Sequence, residues 1–138
     1  MTDAAEPSAG NVAARLWICV TCRRGPVAGG GLALATDGRE LYDAVGLVLD
    51  TYPQAHRVDL RWVECMSSCG HACNIALNAP AKATYLFGDL EPTPHNAEAV
   101  VECAMLYADQ PDGVLRRVDL PGPLRRGLLA RIPAVPVE

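Results

Sequence analysis

The chain has 138 residues, half of them hydrophobic, and a net charge of -4 at pH 7. That length and apolar content fit one globular domain with its own core and exclude a disordered chain, while the acidic balance gives no electrostatic case for nucleic-acid binding. No apolar run approaches the ~18 to 20 residues of a membrane helix, and the acidic start Met1-Thr2-Asp3-Ala4-Ala5-Glu6 lacks the basic-then-apolar order of a signal peptide, so a cytoplasmic protein without membrane attachment is expected.

Residues 1–12 lack periodicity and read as a flexible leader. Arg15-Leu16-Trp17-Ile18-Cys19-Val20 is a β-branched and aromatic run of strand length, which delivers Cys19 and Cys22 at its carboxyl end. Arg23 to Gly31 holds four glycines and a proline and must be a loop; it lacks the Gly-Lys-Ser/Thr ending and the dinucleotide spacing that phosphate cradles use. Thr36 or Asp37 caps a helix with Leu41, Val45, Val48 and Leu49 on its apolar face, and Tyr52-Pro53 forbids its continuation. Arg57 to Val63 alternates polar and apolar residues, a strand with Val58, Leu60 and Trp62 on one side, and it runs straight into Cys65. A strand–helix–strand unit of this kind crosses over right-handed with parallel strands, so the carboxyl ends of both strands, and the cysteines that follow them, belong at one end of the sheet.

Asn74 to Asn78 and Ala83 to Phe87 flank Ala79-Pro80-Ala81-Lys82 and read as a β-hairpin. Thr93 or Asn96 opens a second helix with Ala97, Val100, Val101, Ala104, Met105 and Ala108 at helical spacing, ending near Pro111. These elements make residues 13–111 one α/β domain. Residues 112–138, with repeated prolines and five arginines against three acids, read as a C-terminal extension in which Leu124 to Ile132 forms a short amphipathic helix. Trp17 and Trp62 are expected in the core.

Five of the six cysteines fall in two knots: Cys19-Val20-Thr21-Cys22, and Cys65, Cys69 and Cys73 at i, i+4 and i+8. In a reducing compartment such clusters serve as metal ligands or redox groups rather than disulfides. Thiolates are soft donors, and four of them complete either a two-iron cluster or a tetrahedral zinc site. Cys19, Cys22, Cys65 and Cys69 supply four, while Ser67, Ser68 and Gly70 suit a loop whose amides donate to sulfur. His71 lies inside the second knot as a ligand or a donor to a sulfur, although cysteines already suffice. Met66 covers the site from the loop. Cys103, among alanines and valines, reads as a buried, inert thiol, and His56 and His95 as surface or capping residues.

Val63-Glu64-Cys65-Met66-Ser67-Ser68-Cys69-Gly70-His71-Ala72, followed by a strand pair and Tyr85-Leu86-Phe87-Gly88-Asp89-Leu90-Glu91-Pro92, resembles the second cysteine loop of the thioredoxin-like [2Fe-2S] ferredoxins. The resemblance spans about residues 14 to 110. It implies a thioredoxin-like fold, a β-α-β unit followed by a β-hairpin and a C-terminal helix, with a [2Fe-2S] cluster on Cys19, Cys22, Cys65 and Cys69. Cys19 and Cys22 stand closer together than that family's first pair, and Cys73 stands where proline is common, which makes it an alternative ligand. The cysteine pattern is also similar to that of an uncharacterised bacterial family of predicted metal-binding proteins, often associated with cobalamin-synthesis gene clusters, which implies an electron-transfer or cobalt-related role. The expectation is therefore a one-electron carrier rather than an enzyme. A zinc- or cobalt-binding protein, structural or metal-handling and using the same four cysteines, is the alternative, and a thiol oxidoreductase using Cys19 and Cys22 is a lesser one. A redox protein is the expected partner; the arginines at 116, 117, 125, 126 and 131 read first as a solvated tail folded over the domain and, as the alternative, as its docking element, and self-association as a homodimer is a further expectation.

Overall fold

A computed structural model describes residues 12–24 and 36–135. The leader through residue 11 and the glycine-rich part of the loop after Arg24 lie outside these residues. Within them the chain runs β1 (Ala14–Cys19), α1 (Asp37–Leu49), β2 (Val58–Val63), β3 (Ile75–Asn78), β4 (Thr84–Phe87), α2 (Pro94–Ala108), α3 (Gly122–Arg126) and β5 (Leu128–Ile132). The strands form a sheet in the order β2-β1-β3-β4-β5. β1 and β2 are parallel, with Cys19 level with Val63, and the remaining pairs are antiparallel.

The two long helices each begin where a cap residue satisfies a free amide. Thr36 accepts from the Arg39 amide at 3.0 Å and Thr93 accepts from the Asn96 amide at 3.2 Å, with Pro94 following Thr93 where a missing N–H costs nothing. α1 and α2 pack on each other and against β1. The alternation of β1, β3 and β4 sends Leu16, Ile18, Ile75, Leu77, Tyr85 and Phe87 into this layer, where they meet Leu41, Val45, Val100, Val101 and Ala104 in one continuous core. The opposite side of the same strands carries half-buried Arg15, Trp17, Asn78 and Thr84. Lys82, in the hairpin turn, reaches the carbonyls of Ala13, Tyr107 and Ala108 at 2.7, 3.3 and 3.3 Å, placing a cation at the carboxyl end of α2.

Two expectations need correction. Trp62 is 56% exposed because β2 is an edge strand, and Trp17 lies half-buried on the sheet's other side with its indole N–H on Asn78 Oδ1 at 2.9 Å. Leu124 to Ile132 is not one helix: a single helical turn ends at Gly127 and Leu128–Ile132 pairs with β4. The reason is the close approach of Gly127 and Gly88. The Gly88 amide donates to the Gly127 carbonyl at 2.8 Å, and a Cβ on Gly127 would lie 2.2 Å from the Gly88 oxygen, so the chain turns there from helix into sheet. None of the described helices is long and apolar enough to cross a membrane.

Candidate thiolate site

Parallel pairing of β1 with β2 places both cysteine knots at the same end of the sheet, since Cys19 ends β1 opposite Val63 and Cys65 follows two residues later. The first knot is buried. Cys19 Sγ and Cys22 Sγ lie 2.8 Å apart, packed with Ala72 and partly buried Met66 in a small cluster separate from the main core. The loop between them is tied down on three sides. The Thr21 hydroxyl donates to the Glu64 carbonyl, the Thr36 hydroxyl donates to the Val20 carbonyl, and the Gly38 amide donates to the Cys22 carbonyl at 3.0 Å. The first turn of α1 therefore rests directly on this loop, although a long stretch of chain separates them in sequence.

The two thiols titrate apart. Burial pushes Cys19 up, but hydrogen bonding from Cys22 and Thr21 outweighs it and leaves Cys19 below its ordinary value. Burial, reinforced by the bond to Cys19 and by the charge of Cys69, pushes Cys22 up to about 12. Of the two, Cys19 is thus the sulfur that gives up its proton first.

The second knot faces outward. Cys65 and Cys69 are both exposed. Ser67 adopts a left-handed φ of 58°, which turns its amide onto Cys65 Sγ at 3.2 Å. The Ser68 hydroxyl bonds the Met66 carbonyl at 3.4 Å, and the Ser68 carbonyl accepts from the His71 amide at 2.8 Å, closing a single 3-10 turn over Cys69–His71. His71 is exposed and its Nδ1 faces the Asp89 carboxylate at 3.2 Å. Gly70 has no heavy atom within 4 Å of where a Cβ would stand. His56 and His95 are exposed.

Cys73 and Cys103 belong to the main core. The Cys73 backbone exchanges two hydrogen bonds with Leu90, at 3.0 and 3.1 Å, and its peptide bond with Ala72 is cis. Burial, then the charge of Asp37, pushes its thiol up to about 12; burial does the same to Cys103. Among the described residues no three His, Cys, Asp or Glu side chains close on a single point as a metal site. What the fold assembles is a donor set: two buried sulfurs in contact, two exposed sulfurs on the adjoining loop, and amides already aimed at two of the four. That set fits a thiolate-bound metal or cluster in its chemistry, soft donors on two adjoining loops with hydrogen-bond donors beside them.

Sequence reasoning treated Asn74 only as the start of a strand. The structure buries it completely beneath the site, its Nδ2 3.5 Å from Cys22 Sγ and 2.9 Å from the Ser68 carbonyl. The signal was present in the sequence, an amide between the third cysteine of the knot and the apolar run Ile75-Ala76-Leu77.

Comparison with solved structures finds the thioredoxin-like [2Fe-2S] ferredoxin from Aquifex aeolicus, 17% identical, with a TM-score of 0.55 over 86% of this chain and 91% of that chain. The structure of the wild-type form of that ferredoxin is 16% identical, with a TM-score of 0.51 over 85% and 96%. Likeness at this level carries the fold, which is thioredoxin-like. No curated protein matches the chain. A family model described as a protein of unknown function (DUF1636) matches residues 16–134.

Proposed function

The chain belongs to the DUF1636 family, a family of proteins of unknown function, and we propose that this member is a one-electron carrier holding a [2Fe-2S] cluster on Cys19, Cys22, Cys65 and Cys69. The observation that carries the reading is the delivery of two cysteine knots to one end of the sheet by the parallel β1–β2 pair. The fold shared with the Aquifex ferredoxin, named for its [2Fe-2S] cluster, agrees with it. Cys19 and Cys22 would supply the buried side of the site and Cys65 and Cys69 the solvent side, where a redox partner can approach. When bound, the cluster supplies reversible one-electron chemistry. The protein's own part is to keep four thiolates together, to direct the Ser67 amide at Cys65, and to shield the Cys19–Cys22 side with Met66 and Ala72. Cys73, drawn into the main core, serves packing in this reading.

Protein purified without oxygen is expected to be red-brown and to hold iron and acid-labile sulfide in equal amounts. A colourless protein with one zinc would decide for a four-thiolate zinc site on the same residues. A specific observation favours a second reading, a dithiol redox pair: Cys19 and Cys22 already touch at 2.8 Å, with Cys19 acidified. If the metal-free protein cycles between dithiol and disulfide at Cys19 and Cys22 while taking up neither iron nor zinc, that second reading stands instead.

A further inference from the structure

Asn74 is 0% exposed, yet its side chain is half satisfied. Its Nδ2 donates to the Ser68 carbonyl at 2.9 Å and faces Cys22 Sγ at 3.5 Å, whereas Oδ1 has no hydrogen-bond partner. The orientation of the amide is not arbitrary. Ser68 offers a carbonyl, which only accepts, so the nitrogen must face it and the oxygen is left over. A buried acceptor without a partner forfeits its hydration and gains nothing in return, so packing alone would favour an apolar residue such as leucine at the head of this strand. What the amide does instead is bridge the two cysteine knots, touching the sulfur of Cys22 in the first and the backbone of Ser68 in the second.

We propose that Asn74 is the positioning residue of the thiolate site: its amide ties the second cysteine loop to the buried pair and donates a hydrogen bond to the Cys22 sulfur. A donor on a sulfur stabilises the more negative state of whatever that sulfur is bonded to. In the loaded protein, on the reading that a cluster is held here, it favours the reduced state.

Two measurements test this separately. In the metal-free protein, the side-chain amide protons of Asn74 are expected to exchange slowly with water, and Cys22→Ala is expected to shift their NMR resonances. Fast exchange, or resonances that ignore Cys22→Ala, would overturn the bridge whether or not the protein binds iron. In the loaded protein, Asn74→Leu removes the donor and the orphaned oxygen together. It should shift the cluster midpoint potential to a more negative value while leaving the melting temperature of the metal-free form nearly unchanged. Asn74→Asp should give a potential that falls with rising pH, because only the protonated carboxyl can donate. A wild-type potential in both variants, or a large loss of metal-free stability in Asn74→Leu, would reduce Asn74 to a packing residue. Wild-type protein that takes up no iron and sulfide would sink the cluster reading and leave the NMR result to decide the bridge.

Discussion

Gly38 and Gly70 both lie beside the cysteines, and only one of them has to be glycine. A Cβ on Gly38 would stand 2.0 Å from the Cys19 carbonyl oxygen, a backbone atom that cannot swing away, because the first turn of α1 presses on the buried knot. Gly70, in the motif that carries the family resemblance, is surrounded by open space. Gly38→Ala should therefore destabilise the protein by about 1 to 3 kcal/mol in urea unfolding, the ordinary cost of overpacking, and should disturb the Cys19–Cys22 geometry. Gly70→Ala should stay within about 0.5 kcal/mol of the parent. Equal effects would mean that α1 does not seat on the cysteine loop. At this scale the sequence was legible where residue type states its chemistry and silent where the partner is remote. Cysteine clustering marked the two knots that the parallel β1–β2 pair brings to one end of the sheet, and the apolar surroundings of Cys103 marked it as buried. Gly38 and Asn74 looked ordinary because what they touch, the Cys19 carbonyl and the Cys22 sulfur, comes from chain far away in sequence.

Among the elements, β1, α1, β2, the hairpin and α2 were readable because each has its own period and a cap or breaker at its end: Thr36 and Pro53 around α1, and Thr93 with Pro94 at α2. β5 was not. Leu124, Leu128 and Ile132 recur every four residues, so the run fits a helix, and only contact of Gly127 with Gly88 across the fold decides for a strand. The hold on this last segment is polar as well as apolar. Tyr85 on β4 receives the Leu115 amide on its hydroxyl at 2.9 Å and lies 3.3 Å from the Leu115 carbonyl, while the Tyr107 hydroxyl donates to the Ala83 carbonyl at 2.5 Å. All four residues are buried. Tyr85→Phe keeps the ring and its stacking on Phe87 but leaves the Leu115 N–H and C=O without that partner. Unpaired buried groups cost about 1 to 3 kcal/mol, so a fall of that size in unfolding free energy is expected. Amide exchange should quicken from Leu115 onward more than in α1. Uniform quickening would mean that the segment is not held locally by Tyr85.

For the whole molecule, the segment after Asp112 cannot be treated as a detachable arm. Leu115, Leu120 and Leu124 are buried in the main core and β5 closes the sheet edge. Three leucines at about 1.5 to 3 kcal/mol each rival the total stability of a small domain, about 5 to 15 kcal/mol. Deleting residues 112 to 138 should thus unfold the protein and says nothing about docking. The arginines also divide by role. Arg116 pairs with Asp119 at 3.0 Å, and Arg125 binds the carbonyls of Arg117, Val118 and Leu120 at 3.2, 3.1 and 2.9 Å, so both serve their own segment. Arg117, Arg126 and Arg131 stand exposed on an otherwise acidic protein. If they meet an acidic redox partner, reversing those three charges to glutamate should leave the far-ultraviolet spectrum and the melting temperature near the parent. It should slow electron exchange with an acidic redox protein by about tenfold or more at low ionic strength. Because such steering acts through a field that salt screens over roughly 8 to 10 Å, the difference should shrink as salt rises. Equal rates at low salt would free these arginines of any part in docking.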